Sequence, residues 1–196
     1  MIESIEEIDR AIFLSINGFN SEWADSLMWY ISTTSLWLPL YAYMLYYAYK
    51  KKGWKFTAIT LGGIGCCVLL ADLSSVHLFK NIFLRYRPSH NLELEGLVHN
   101  VTKPNGEVYF GGLYGFVSSH AANVSAIAIF IILSFKKLNK NWNLLILWAL
   151  VVMYSRIYLG VHYPTDIIAG SMLGCLVGWS VWKVTNKLNL QKSVSK

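Results

Sequence analysis

Residues 142–166 read WNLLILWALVVMYSRIYLGVHYPTD. An apolar run ends at Ser155 and Arg156, a short connection carries Gly160, His162 and Pro164, and Asp166 opens a second apolar run. Gly and Pro so close together mark a tight turn, and Pro suits the first turn of a helix, where its missing N–H costs nothing. The stretch therefore predicts two apolar helices joined by a turn that carries the polar groups. A guanidinium at the edge of such a helix is costly unless it has a partner or a task. Asp166, four residues after His162, sits in the first turn of the second helix and can reach back to an imidazole nitrogen. That contact would fix the ring's tautomer and leave its other nitrogen free to attack. Compensation of the helix dipole is the plainer role for the same carboxylate.

The pattern recurs twice on the N-terminal side. Lys80 and Arg87 are seven residues apart, followed by Pro88. On a helix that spacing returns to nearly one face, so both cations can point at one anion, and Pro88 ends the helix about there. Snorkelling of basic side chains at a helix end is the plainer reading. Ser118 and Ser119 precede another apolar run, where a serine fits as N-cap and the unpaired amides of the first turn favour an anion. His120 then stands in that first turn.

The rest of the chain places these groups in a bilayer. Of 196 residues, 55% are hydrophobic and only 14% charged, and the mean hydropathy is +0.40, outside the soluble norm. Residues 27–49, 54–79, 118–135, 142–159 and 166–183 are each apolar and about long enough to cross a hydrocarbon core, which needs roughly 20 helical residues. The fold class expected is all-α: a polytopic membrane helix bundle of about five transmembrane helices, forming one domain over residues 1–196. Glu3, Glu6, Glu7, Asp9 and Arg10 interrupt residues 1–20, while Ile2, Ile5, Ile8, Ile12, Phe13 and Ile16 recur at helical spacing. This stretch predicts an interfacial amphipathic helix and not a signal peptide. The one long connection, residues 86–117, is rich in glycine and aromatics, and Pro104, Asn105 and Gly106 signal a turn. It is expected to form a lid over the polar clusters.

Net charge is +6, but its distribution argues against nucleic acid. Lys50, Lys51, Lys52 and Lys55, then Lys136, Lys137 and Lys140, then Lys183, Lys187, Lys192 and Lys196 fall on one side of a five-crossing bundle. The positive-inside rule makes that side cytoplasmic. The polar clusters at the other helix ends then face outward. Cys66, Cys67 and Cys175 have neither disulfide nor metal spacing, and no metal or other cofactor is called for.

Together the clusters fit three motifs in register. Lys80 to Pro88 fits K, six residues, R, P; Ser118 and His120 fit the S and H of P, S, G, H; Ser155 to Asp166 fits S, R, five residues, H, three residues, D. In this the chain resembles the type 2 phosphatidic acid phosphatase superfamily of integral-membrane lipid phosphatases. The resemblance implies a metal-independent hydrolase of a lipid phosphate or diphosphate, working through a phosphohistidine. Candidate substrates are undecaprenyl diphosphate, a lipid A phosphate, phosphatidylglycerophosphate and phosphatidate. It implies His162 as nucleophile, Asp166 as its orienting partner and His120 as general acid. Lys80, Arg87, Arg156, Ser118 and the backbone near Ser119 would bind the phosphate, with Ser155 a weaker candidate. Val117 and Ser119 depart from the family's Pro and Gly. The partners implied are the lipid bilayer and a membrane lipid phosphate. A non-catalytic multi-pass transporter or scaffold with a residual anion site is the competing class, and a vanadate-holding haloperoxidase a third.

Overall fold

The computed structural model describes residues 2–194, with side chains over residues 5–188. The side chains of Ile2 and Lys192, and all of Lys196, lie outside that range. Seven α-helices carry the chain: α1 (Ile2–Asn17), α2 (Glu22–Ser32), α3 (Leu38–Ser74), α4 (Asn81–Phe83), α5 (Ser119–Phe135), α6 (Leu145–Tyr158) and α7 (Pro164–Val194), with no β-strand among the described residues.

Glycine and hydroxyl residues decide where the long apolar stretches bend. α3 is two antiparallel limbs, because Gly53 takes φ 72°, ψ −173°, a conformation open to a residue without Cβ. The reversal brings Tyr47 and Phe56, from opposite limbs, to 5.5 and 5.7 Å from the ring of Phe135 at the end of α5. Residues 27–49 do not form the single helix that their hydropathy predicts. The chain is extended at Thr33 (φ −85°, ψ 127°), in a run of four hydroxyl residues, and the Thr33 hydroxyl donates back to the Trp29 carbonyl at 2.9 Å. Side chains that compete for backbone partners in this way favour helix ends. The break leaves Ser32 free to serve the site described below.

At the centre, α5 packs on α7 through glycines spaced four apart. A Cβ on Gly170, Gly174 or Gly178 would come within 2.6, 2.2 or 2.3 Å of the carbonyl oxygens of Ser118, Ala122 or Ala126. Such close backbone approach is how helices associate where water supplies no hydrophobic drive between them. The limbs of α3 and α6 surround this pair, and Leu69, Leu147, Leu150, Leu176 and Trp179 face outward and exposed. By length and hydropathy, the run Thr34–Phe83, folded back at Gly53, and the run Pro164–Leu188 qualify to cross a membrane, and Ser119–Phe135 is a shorter apolar helix.

α1 packs across the end of the bundle where α5 begins. Its buried face carries Asp9, Phe13 and Asn17, while Ile5, Ile8 and Ile12 are exposed. Asn17 donates to the carbonyls of His99 and Tyr158 at 2.9 and 2.8 Å, and Asp25 of α2 pairs with His99 at 2.9 Å. These contacts fasten the connection between α4 and α5 to the helices beneath it. Replacing Gly174 with valine sets a side chain against backbone that cannot yield. Thermal unfolding in detergent should show a loss of about 2–3 kcal/mol; a variant as stable as the parent would contradict this packing.

Candidate active site

The site is assembled at one end of the bundle, where the starts of α5 and α7 meet the ends of α2, α6 and the second limb of α3. The chain leaves α3 through a π-helical stretch, Ser75–Lys80, a wide turn often found at functional positions. From there Lys80 donates to the Ser119 hydroxyl at 2.7 Å, and Ser119 also meets Ser75 at 2.6 Å. The departure from the family's Gly at residue 119 thus supplies a hydroxyl that anchors Lys80.

Lys80 and Arg87 do not share one helix face. The helix stops at Phe83 because Leu84 turns left-handed (φ 48°), and Arg87 enters from the loop instead. Its Nε donates to the Tyr114 carbonyl at 3.1 Å and its Nη1 to the Val161 carbonyl at 3.3 Å. The two cations still sit within each other's field. Burial, and then the nearby Arg156, pull the Arg87 guanidinium down to about 10. Arg156, 3% exposed, gives one nitrogen to the Ser32 hydroxyl and another to the Tyr109 hydroxyl at 2.9 Å. Its Nε is buried without a partner among the described residues.

Ser118 is the N-cap of α5, and its hydroxyl accepts from the Ala121 amide at 3.4 Å. Its own amide donates to the Asp166 carbonyl at 3.0 Å, which ties the starts of α5 and α7 together. His120 follows in the first turn, within the fields of Arg156, His162, Arg87 and Lys80, and no hydrogen bond holds its ring among the described residues. Ser155 turns away: its hydroxyl donates to the Val152 carbonyl at 2.6 Å.

His162, 1% exposed, lies in the turn between α6 and α7. Its Nδ1 is 3.4 Å from Asp166 Oδ2, a long contact, and its Nε2 is 3.1 Å from Arg87 Nη1. Burial first, then Arg87, Arg156 and Lys80, hold the imidazole well below its usual range and therefore neutral at pH 7. A neutral ring with its proton on Nδ1 accepts from Arg87 at Nε2. The nitrogen expected to be free is covered by a guanidinium, which a phosphate oxygen can draw away.

The loop of residues 84–118 is ordered by short-range hydrogen bonds. Tyr86 bridges to Tyr114 and Thr102 to Val108, and the Pro104–Asn105–Gly106 turn closes with the Gly106 amide on the Lys103 carbonyl at 2.9 Å. This brings Gly115 against Asp166 and His162, where a Cβ would stand 2.9 Å from the carboxylate. It also brings in Tyr109, packed edge-on against Trp29 at 5.0 Å between ring centroids. Burial alone would raise the Tyr109 phenol, but Arg156, with Arg87 and Lys103, pulls it below its usual range. Neither Tyr109 nor Ser32 carries a sequence signal; each is found through Arg156.

The PAP2 superfamily model matches residues 56–190. The chain is 36% identical over 185 residues to the lipid A 4'-phosphatase of Porphyromonas gingivalis, covering 93% of this chain and 75% of that protein. To the lipid A 4'-phosphatase of Bacteroides thetaiotaomicron it is 35% identical over 191 residues, covering 96% and 81%. Its fold resembles the crystal structure of a transmembrane PAP2-type phosphatidylglycerolphosphate phosphatase from Bacillus subtilis, with TM-score 0.65 at 22% identity over 94% of this chain and 87% of that one. The chain belongs to the PAP2 superfamily. It is an integral-membrane lipid phosphatase, a hydrolase.

A tyrosine whose oxygen accepts from Arg156 still has its own proton to give to a phosphate oxygen. Tyr109→Phe should weaken inhibition by inorganic phosphate about tenfold, the value of one hydrogen bond to a charged group. Unchanged or tighter inhibition would exclude Tyr109 from the anion's contacts.

Proposed function

We propose that this phosphatase removes a terminal phosphate from a membrane lipid through a phosphohistidine on His162, and that its preferred substrate is a phosphorylated glucosamine lipid of the lipid A type. The observation that carries the chemistry is the grouping of three cations and a capped helix start around a neutral imidazole. In that frame Lys80, Arg87, Arg156 and the first amides of α5 take the nonbridging oxygens, with Ser118 holding the cap and Ser119 holding Lys80. Electrostatic stabilisation of this kind supplies most of the catalysis in phosphoryl transfer.

The steps balance without a further reactant. As Arg87 moves onto a phosphate oxygen, the Nε2 lone pair attacks phosphorus and the phosphorus–oxygen bond to the lipid breaks. His120 gives its proton to the departing lipid oxygen, while Asp166 steadies the proton on Nδ1 of His162. Water then attacks the phosphohistidine, His120 takes back a proton, the phosphorus–nitrogen bond breaks, and inorganic phosphate leaves. Three cations and a helix terminus provide the charge that metal ions supply elsewhere. The two lipid A 4'-phosphatases, each aligned over more than nine tenths of this chain, support the substrate class over an undecaprenyl diphosphate, whose phosphatase in Sulfolobus acidocaldarius aligns over 74% of it.

The same reading gives the chain five crossings in one catalytic unit. The first is α2 continued by the first limb of α3, the second its other limb, and the rest α5, α6 and α7. The site then lies at the outer, periplasmic end of an inner-membrane protein, opposite Lys50–Lys52, Lys136, Lys137 and Lys183. α1 lies in the interface with Ile5, Ile8 and Ile12 toward lipid, and residues 86–117 cover the site from outside.

Phosphate release from detergent-dispersed lipid A, undecaprenyl diphosphate, phosphatidylglycerophosphate and phosphatidate, with chelator present, tests the substrate and the mechanism. Lipid A should be turned over fastest, and His162→Ala should release none. No release from any lipid by the intact protein, or a need for added metal, would overturn the proposal. Because His162 is held below 6.5, it stays an unprotonated nucleophile as pH falls through that value. The acid limb of kcat/KM should therefore lie below pH 6.5; a limb at or above it would contradict the neutral imidazole.

A further inference from the structure

Behind the nucleophile lies an ion-pair network of which the three motifs include only Asp166. Arg85 Nη1 donates to Asp166 Oδ1 at 2.9 Å and to the Thr165 hydroxyl at 2.8 Å, and its Nη2 donates to Asp9 Oδ2 at 2.7 Å. Asp9 comes from α1, 156 residues before Thr165. Its Oδ1 accepts from the Thr165 amide at 2.9 Å and its Oδ2 from the Thr165 hydroxyl at 2.5 Å. Asp9 is 2% exposed and Asp166 0%.

We infer that Arg85 and Asp9 are positioning residues of the catalytic site, so that the relay Asp9–Arg85–Asp166–His162 makes the N-terminal helix part of the machinery. This rests on the proposed role of His162 as nucleophile. A carboxylate with no exposure is driven toward its neutral form unless a cation faces it. A protonated Asp166 would no longer hold the Nδ1 proton of His162. Arg85 meets Asp166 on the oxygen that His162 does not use, since Oδ2 takes the Tyr163 amide at 3.0 Å and faces the ring. It is thereby the main cation that keeps Asp166 charged, ahead of Arg87, and leaves Arg156 for the phosphate.

Arg85 is itself fixed from three sides. Its guanidinium stacks 4.3 Å over the Tyr163 ring, and Asn91 donates to the Tyr163 hydroxyl at 3.0 Å. Burial pulls Arg85 down, but Asp166 and Asp9 outweigh it and leave it above its ordinary value. Asp9 does two things at once: it holds Arg85 in place, and it accepts from the Thr165 amide at the start of α7, where negative charge is favoured. A purely structural anchor for α1 would be served by Phe13, which meets Tyr163 edge-on at 5.5 Å. A buried ion pair costs desolvation that apolar packing does not, and here the pair is bonded directly to the carboxylate beside the nucleophile.

The test is a pH profile of kcat and KM for Arg85→Gln, Arg85→Lys and Asp9→Asn, in detergent, on whichever panel lipid the parent hydrolyses fastest. Arg85→Gln removes the charge that keeps Asp166 ionised, so Asp166 takes up its proton at higher pH and the acid limb of kcat/KM should move up by about one pH unit. kcat should fall on the order of tenfold or more, with KM within about threefold. Arg85→Lys keeps the charge but not the fork, so its limb should stay near that of the parent while kcat falls less. Asp9→Asn should lower kcat with KM unchanged, and should add nothing in the Arg85→Gln background, as members of one network do. An unmoved limb in Arg85→Gln, equal loss at all pH in the Gln and Lys variants, or additive losses in the double variant would overturn the inference. Should Arg85→Gln fail to fold, Asp9→Asn decides, and parental kcat there would overturn it. If the parent itself hydrolyses no lipid, the proposed function fails instead.

Discussion

Everything at the site end of this bundle is held in register by one buried carboxylate. Asp166 takes the Tyr163 amide, the Arg85 guanidinium and the His162 ring on its side chain, and its backbone carbonyl takes the Ser118 amide that caps α5. Three separate parts of the chain, the turn before α7, the loop at Arg85 and the start of α5, therefore meet at one residue with no exposure. Burial makes these contacts obligatory, because a lone carboxylate there would be costly. The same burial makes each contact strong, because the surroundings screen it little.

Around this point the charges divide into two groups. Asp9, Arg85 and Asp166 lie behind His162, while Lys80, Arg87 and Arg156 lie before it. The front three repel one another, and only a multiply charged anion with several oxygens relieves all of them together. The bundle supplies the scaffold that makes the repulsion tolerable: Ser119 and Ser75 fix Lys80, loop carbonyls fix Arg87, and Ser32 and Tyr109 fix Arg156. Such preorganisation is the form in which a fold contributes to charge stabilisation.

Much of this was legible in the sequence where the signal was local. The turn at Gly160 and Pro164, the cap at Ser118 and the loop turn at Asn105–Gly106 follow from single-residue preferences that tertiary packing did not override. The helical spacing of Lys80 and Arg87 misled, since a left-handed Leu84 ends the helix first, and the two cations meet through a folded loop. The unbroken hydropathy of residues 27–49 hid the break at Thr33, which four adjacent hydroxyl residues do signal. Asp9 looked like one of several charges interrupting an apolar stripe; only three-dimensional proximity separates it from Glu6 and Glu7, which stay in solvent. Arg85, inside the Lys80–Arg87 interval, was hidden in the same way.

The central claim is that His162 attacks phosphorus, and trapping the covalent species tests it most directly. Rapid acid-free quenching of the protein with lipid A carrying a labelled 4'-phosphate, followed by peptide mapping, should find an alkali-stable, acid-labile phosphoryl group on His162. His120→Ala, which lacks the group that acts in both steps, should both gain and lose the label more slowly. A protein that turns over the lipid yet carries no label, or carries it on another residue, would contradict the account.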